Sequence, residues 1–107
     1  MTFAALRGLG LAVAATILLG VASAQAEELK VTIDNFTFTP AELKVKVGDT
    51  VTWTNHDDIP HTVVSAGKFR SKAMDTDGTF SFTFTSAGEY KYFCSLHPHM
   101  TGTIKVE

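Results

Sequence analysis

YKYFCSLHPHMTGTIKV, the sequence of residues 90–106, contains the chain's single cysteine, Cys94. Apolar and polar residues alternate at both ends of this stretch, which predicts two strands with a short loop between them. His97 lies three residues after the cysteine and Met100 three residues after that histidine. A soft sulfur ligand together with imidazole suits copper better than most other first-row metals. The stretch therefore predicts a loop at a strand end that carries three candidate copper ligands.

Cys94 admits two readings. A free thiol packs like a small apolar group, so a lone cysteine can be a purely structural residue of the core. As a ligand, Cys94 would be held rigidly by the end of its strand, and Pro98 would restrict the loop that brings His97 and Met100 round the same point. One cysteine cannot form a disulfide within the chain, whereas a bound metal can stabilise a small exported domain.

His61 is the candidate for a further ligand from a distant part of the sequence. It follows Pro60 and opens a β-branched segment at 61–64, which would fix the direction of its side chain. In a sandwich with this strand order, that end of the segment can lie beside the cysteine loop. The alternative is an ordinary exposed histidine after a proline, and the sequence leaves both readings open.

The chain after residue 26 has a period of two throughout and no helical stripe longer than one turn. We expect short strands at 29–33 (continuing through 35–38 toward Pro40), 43–47, 51–55, 61–64, 80–84, 89–94 and 103–106. Turn residues such as Gly48 and Gly88 separate them. About seven to eight short strands predict an all-β protein, a small antiparallel Greek-key β-sandwich that forms one domain over residues 27–107.

Residues 1–26 are predicted to be a secretory signal peptide that is cleaved after Ala24 or Ala26. Arg7 supplies a positive charge, 9–21 is an apolar run, and two A-x-A sites follow. The alternative, a membrane anchor, is disfavoured because 13 apolar residues fall short of the roughly 20 that span a bilayer. We therefore expect an exported, periplasmic protein with no stable membrane insertion after cleavage.

The charge balance disfavours nucleic acid as a partner. Residues 27–107 carry eight basic and eleven acidic side chains, a formal charge of −3, and the basic ones form no cluster. Interspersed charges of this kind favour solubility, and we expect a monomer.

Residues 90–102 resemble the copper loop of the cupredoxins, the blue copper proteins. Two residues between Cys94 and His97 are common to several cupredoxins. Only two between His97 and Met100 mark the short loop of the amicyanin type, while plastocyanins and pseudoazurins usually have a longer gap. Residues 45–53 and the pair at 60–61 resemble earlier strands of the family in the same order. The resemblance covers nearly all of the chain after residue 26.

The resemblance implies one copper ion in a type 1 centre, with His61, Cys94 and His97 as equatorial ligands and Met100 as a weak axial ligand. Two histidines and one cysteine with a distant thioether are typical of electron-transfer copper. Thr62 stands where cupredoxins often have an asparagine that ties the ligand loops together. We expect its hydroxyl to replace that bond weakly, and its backbone N–H to reach the Cys94 sulfur.

We therefore expect a carrier of single electrons between redox proteins that dock briefly near His97, close to Leu96 and Pro98. The resemblance implies an amine-oxidising dehydrogenase as donor and a c-type cytochrome as acceptor. The alternative is a copper-binding or delivery protein that sequesters copper without redox cycling. An enzyme is not expected, because protein side chains would fill all four ligand positions. His99 is expected to be an exposed histidine; its alternatives are a ligand or a docking contact.

Overall fold

The computed structural model describes residues 28–107, so the predicted signal peptide lies outside the described residues. Nine strands occur in this part of the chain: β1 Glu28–Asp34, β2 Thr37–Thr39, β3 Glu42–Val45, β4 Thr50–Asn55, β5 Val64–Ser65, β6 Phe69–Arg70, β7 Thr79–Thr83, β8 Gly88–Cys94 and β9 His97–Val106. Residues 28–107 include no helix long and apolar enough to cross a membrane.

The strands form two sheets, in the orders β2-β1-β4-β7 and β3-β9-β8-β5-β6. Pairing is antiparallel except between β1 and β4 and between β3 and β9, which run parallel. The expected all-β sandwich is confirmed. Its sheets are mixed because crossover connections, rather than hairpins, bring β1 beside β4 and β3 beside β9.

Alternating burial along the strands builds the core between the sheets. In β4, Val51, Trp53 and Asn55 are buried while the residues between them are only partly covered. In β9 the buried series begins at Met100 and continues at every second residue to Val106. This period follows from the opposite directions of successive side chains in a strand.

Gly102, in β9, leaves room for an aromatic ring from the neighbouring strand β8. The ring of Tyr92, in β8, lies over it, and a Cβ at this position would collide with the ring carbon and hydroxyl of that tyrosine. Because only glycine leaves this space, Gly102 is required for the packing of Tyr92 rather than for a turn.

The first strand differs from the prediction, which extended it through residue 38. It ends at Asp34, and Asn35 and Phe36 form a two-residue turn with φ of 53° and 57°. Asp34 and Thr37 face each other across the hairpin. Positive φ at both central residues is the geometry that two-residue hairpins favour, and asparagine tolerates it well. This turn projects toward the end of the sandwich where the candidate ligands lie.

Candidate metal centre

Two of the predicted ligands lie where adjacent strands end and begin. Cys94 is the last residue of β8 and His97 is the first of β9, and the pairing of these strands shifts register between Phe93 and Cys94. The shift is a β-bulge or similar irregularity, a feature that redirects side chains at the ends of strands. The short connection therefore holds the thiol and the imidazole on the same side of the loop.

His61 comes from the segment between β4 and β5. Its backbone forms an isolated bridge with Met74: His61 N donates to Met74 O at 3.2 Å, and Met74 N donates to His61 O at 2.8 Å. The His61 side chain is completely buried. The reading of this residue as an exposed histidine is therefore wrong, because its backbone is held in the wall of the sandwich.

The three side chains converge on one point. Nδ1 of His61 and Nδ1 of His97 each lie 3.7 Å from Sγ of Cys94. The ligand atoms of the three residues lie within 4.8 Å of one another. With metal–nitrogen and metal–sulfur bonds of the usual length, about 2.0 to 2.3 Å, ligands in a near-trigonal arrangement lie about 3.6 to 3.8 Å apart. The donor set and its spacing therefore fit a metal bound by two imidazoles and one thiolate.

Met100 lies in β9, three residues after His97. Its side chain is 5% exposed and belongs to the same buried cluster as Cys94. The thioether is thus covered from solvent at the ligand end of the sandwich. Its role as the weak axial ligand stays a prediction.

Thr62 links the two segments that carry ligands. Its backbone N–H donates to Cys94 Sγ at 3.3 Å, as expected from the sequence. Its hydroxyl oxygen accepts a hydrogen bond from Ser95 N at 2.7 Å and lies 2.9 Å from the Ser95 hydroxyl. The same hydroxyl is 3.7 Å from Sγ. Threonine therefore makes the connection between the loops for which the family often uses asparagine.

The thiol of Cys94 ionises more readily than an ordinary cysteine. Burial raises its pKa, but the hydrogen bond from the Thr62 backbone and the contacts with His61 and His97 lower it, and the resulting pKa is about 6 against an ordinary 9.0. The thiolate is the form that binds metals. The surroundings of the sulfur thus favour the ligand form near neutral pH.

Asp57 fixes the orientation of the His61 ring. Its Oδ2 lies 2.8 Å from His61 Nε2. A carboxylate can only accept, so Nε2 carries a proton, and Nδ1 is the ring nitrogen that faces the Cys94 sulfur. The pKa of Asp57 is lowered, chiefly by the hydrogen bond from the Phe36 backbone and less by those from Asn35 and His61, while burial acts in the opposite direction. The ionised form that this role requires is therefore favoured.

Asn55 holds the loop that carries Asp57. Its Oδ1 accepts from Asp57 N at 2.9 Å, and its Nδ2 donates to the carbonyl oxygens of Ile59 and Met74, each at 2.9 Å. Neither Asn55 nor Asp57 was predicted from the sequence to belong to the site. The four-residue spacing of Asp57 and His61 around a proline was the available clue.

The remaining histidines are exposed. His99, in β9, is exposed and lies outside the ligand group, which confirms the expectation of an exposed histidine. His56 is also exposed. Two apolar side chains at this end of the molecule face solvent as well: Leu96, next to His97, is 51% exposed, and Phe36 is 48% exposed.

Comparison with known proteins agrees with this geometry. The family model described as "Cupredoxin-like domain" matches residues 8–106. An amicyanin of Paracoccus versutus is 36% identical over 92 residues, which cover 80% of this chain and 70% of the relative. An amicyanin of Paracoccus denitrificans is 43% identical over 72 residues, 62% of this chain and 55% of the relative. The solved Cu(I) form of an amicyanin mutant superposes with a TM-score of 0.73 at 37% identity, covering 80% of this chain and 88% of the other.

Proposed function

Because the chain belongs to the family of cupredoxin-like domains, we propose that it is a type 1 copper protein that carries single electrons between redox proteins. The observation that carries this proposal is the distance of 3.7 Å from Cys94 Sγ to the Nδ1 atoms of both His61 and His97. Two imidazoles, a thiolate and a nearby thioether form the ligand set of electron-transfer copper.

This geometry supports the ligand assignment that we propose. His61, Cys94 and His97 would hold the copper ion, and Met100 would be the weak axial ligand. Copper supplies a centre that accepts and releases one electron without forming or breaking bonds in a substrate. Asp57 orients one imidazole and hydrogen bonds restrain the sulfur, so these residues would keep the ligands in place whether the ion is oxidised or reduced.

His97 is the proposed path for electrons to and from partners. It is partly exposed, whereas His61 and Cys94 are fully covered. Leu96 and Phe36 add exposed apolar surface at the same end. A small apolar contact favours brief docking with redox partners. The likeness to amicyanin suggests a dehydrogenase as the electron donor and a c-type cytochrome as the acceptor. We propose that the protein acts as a monomeric carrier and not as an enzyme.

Periplasmic export is the proposed location, and it depends on the predicted signal peptide. Direct sequencing of the protein recovered from the periplasm would test it. The mature chain is expected to begin at Gln25 or Glu27, after either of the A-x-A sites. Recovery of an uncut chain in the membrane fraction would contradict this part of the proposal.

A copper titration followed by visible spectroscopy tests the central proposal. Cu(II) added to the mature protein should give an intense blue thiolate band that reductant bleaches and oxidant restores. Cys94→Ser should abolish the band, while the matched control Ser95→Ala should keep it. A copper-delivery protein would instead release the ion to a competing chelator when the ion is in one of its two oxidation states. A colourless complex, or a band that survives Cys94→Ser, would contradict the type 1 assignment.

A further inference from the structure

We propose that Phe36 is a positioning residue of the metal centre, held by Asp57 against the imidazoles of both His61 and His97. The inference rests on the proposed function, since the two histidines are its copper ligands. It adds a part of the first hairpin to the set of residues that orient them.

The contact geometry is the first observation. The Phe36 ring meets the His61 ring edge-on with centroids 5.3 Å apart and planes at 87°. It meets the His97 ring with centroids 5.0 Å apart and planes at 89°. Edge-to-face contacts at these separations are favourable and depend on orientation. One phenyl ring therefore limits how far either imidazole can tilt.

The anchoring of the turn is the second observation. Asp57 Oδ1 accepts a hydrogen bond from Asn35 N at 2.6 Å, and Asp57 Oδ2 accepts one from Phe36 N at 2.9 Å. Oδ2 also contacts His61 Nε2 at 2.8 Å. One carboxylate thus joins the turn to a ligand, so the position of the phenyl ring and the orientation of the His61 ring are determined by the same group.

The choice of residue is the third observation. Phe36 has φ of 57° and is 48% exposed. The second central position of such a turn favours glycine, and a bulky side chain with positive φ is an outlier. Neither turn geometry nor burial in the core explains phenylalanine here. The ring contacts with the two histidines do, and strain of this kind is typical of functional positions.

Nuclear magnetic resonance of the metal-free protein gives the primary test. We expect through-space contacts from the Phe36 ring to both imidazoles, and sharp ring signals from His97. In Phe36→Leu and Phe36→Gly the His97 signals should broaden through conformational exchange. In Phe36→Tyr, which retains an aromatic ring, they should stay as sharp as in the original protein. Because glycine suits the turn, Phe36→Gly should keep its thermal stability. Broadened His97 signals in a variant of unchanged stability would then show that positioning is lost while the fold is kept. Phe82→Leu is the matched control, because that ring contacts Phe69 and Phe84 instead of a histidine.

Transfer of Cu(I) to a chelator gives the second readout. Phe36→Leu should release copper about tenfold faster, the lower end of the effects seen when groups that orient metal ligands are removed. Phe36→Tyr and Phe82→Leu should release it at the original rate. The proposal is overturned if the His97 signals and the release rate are unchanged in Phe36→Leu. Slower electron exchange with a partner as the sole change would identify Phe36 as a docking contact instead.

The two proposals fail in different ways. If the unaltered protein gives no blue copper complex, the proposed function fails, yet the ring contacts and His97 signals of the metal-free protein still decide the role of Phe36. If the blue complex forms but Phe36→Leu changes neither readout, only the positioning role fails.

Discussion

Thr62→Val should weaken the connection between the two ligand-bearing segments while leaving the shape of the side chain unchanged. Valine lacks the hydroxyl that accepts from Ser95 N at 2.7 Å and lies 3.7 Å from Cys94 Sγ. It keeps the backbone N–H that donates to the same sulfur at 3.3 Å. The substitution therefore removes the side-chain link and retains the main-chain one.

The expected magnitude follows from these contacts. A neutral hydrogen bond contributes about 1 kcal/mol net, and a buried donor left without a partner costs about 1 to 3 kcal/mol. Ser95 is itself exposed, so water can satisfy part of its N–H. We expect the free energy of unfolding of the metal-free protein to fall by about 1 to 2 kcal/mol. The pKa of Cys94 should rise part of the way from about 6 toward its ordinary 9.0, because burial remains and one of its lowering contacts is lost.

The reduction potential of the copper form should change in a defined direction. Fewer donors to the sulfur leave more negative charge on it, which favours the oxidised ion and lowers the potential. A change of 1.4 kcal/mol corresponds to about 59 mV for one electron, and the long contact from the Thr62 hydroxyl should contribute less than this.

Urea unfolding monitored through the fluorescence of the buried Trp53 gives the stability, and voltammetry gives the potential. Thr62→Ser is the control, because serine retains the hydroxyl and should keep most of both values. A valine variant with the stability and thiol pKa of the original protein would refute the reasoning. The loops would then be held together without the threonine hydroxyl.

Four further outcomes are expected. Asn55→Ala should lower the free energy of unfolding by about 2 to 4 kcal/mol in urea titrations, because three hydrogen bonds of a buried side chain are lost. Gly102→Ala should cost about 1 to 3 kcal/mol in the same assay through collision with Tyr92, and Tyr92→Leu should relieve part of that loss. His99→Phe should leave the blue band of the copper complex intact, and a lost band would make His99 a ligand. The pKa of Cys94 is lowered to about 6 from an ordinary 9.0, so its thiolate should stabilise the metal-free fold fully above pH 9.0. This contribution should disappear as the pH falls through 6. Urea titrations at a series of pH values, with Cys94→Ala as the reference, measure the contribution.

Local sequence patterns were sufficient for most of the strands and for two of the three ligands that converge, Cys94 and His97. Alternation of apolar and polar residues predicted the sandwich, since burial of one strand face requires that period. Cys94 and His97 are three residues apart, so the short sequence between them was enough to predict that they lie close together. His61 lies 33 residues from the cysteine. Its position could be expected only from the resemblance of the strand order, because sequence spacing does not determine which distant segments of the chain come together.

The first hairpin was missed for a specific physical reason. Two-residue turns are recognised in sequences mainly by asparagine or aspartate followed by glycine. Here Phe36 occupies the second position, and the apolar residues on either side continue the alternation of a strand. The hydrogen bonds that stabilise the turn come from Asp57, more than twenty residues away. No local pattern could report them.

Asn55 shows that the sequence contained one unused clue to the site. It continues the inward series of β4 after Val51 and Trp53, so an amide occupies a position that the pattern assigns to the core. A buried polar side chain must find partners. This one donates to the carbonyl oxygens of Ile59 and of Met74, the residue that pairs with His61, and accepts from Asp57 N. The same strand therefore anchors the core with Trp53 and the ligand segment with Asn55. A polar residue at a core-facing strand position next to a candidate ligand should be interpreted as part of the metal centre, because hydrophobic burial alone would have selected another residue there.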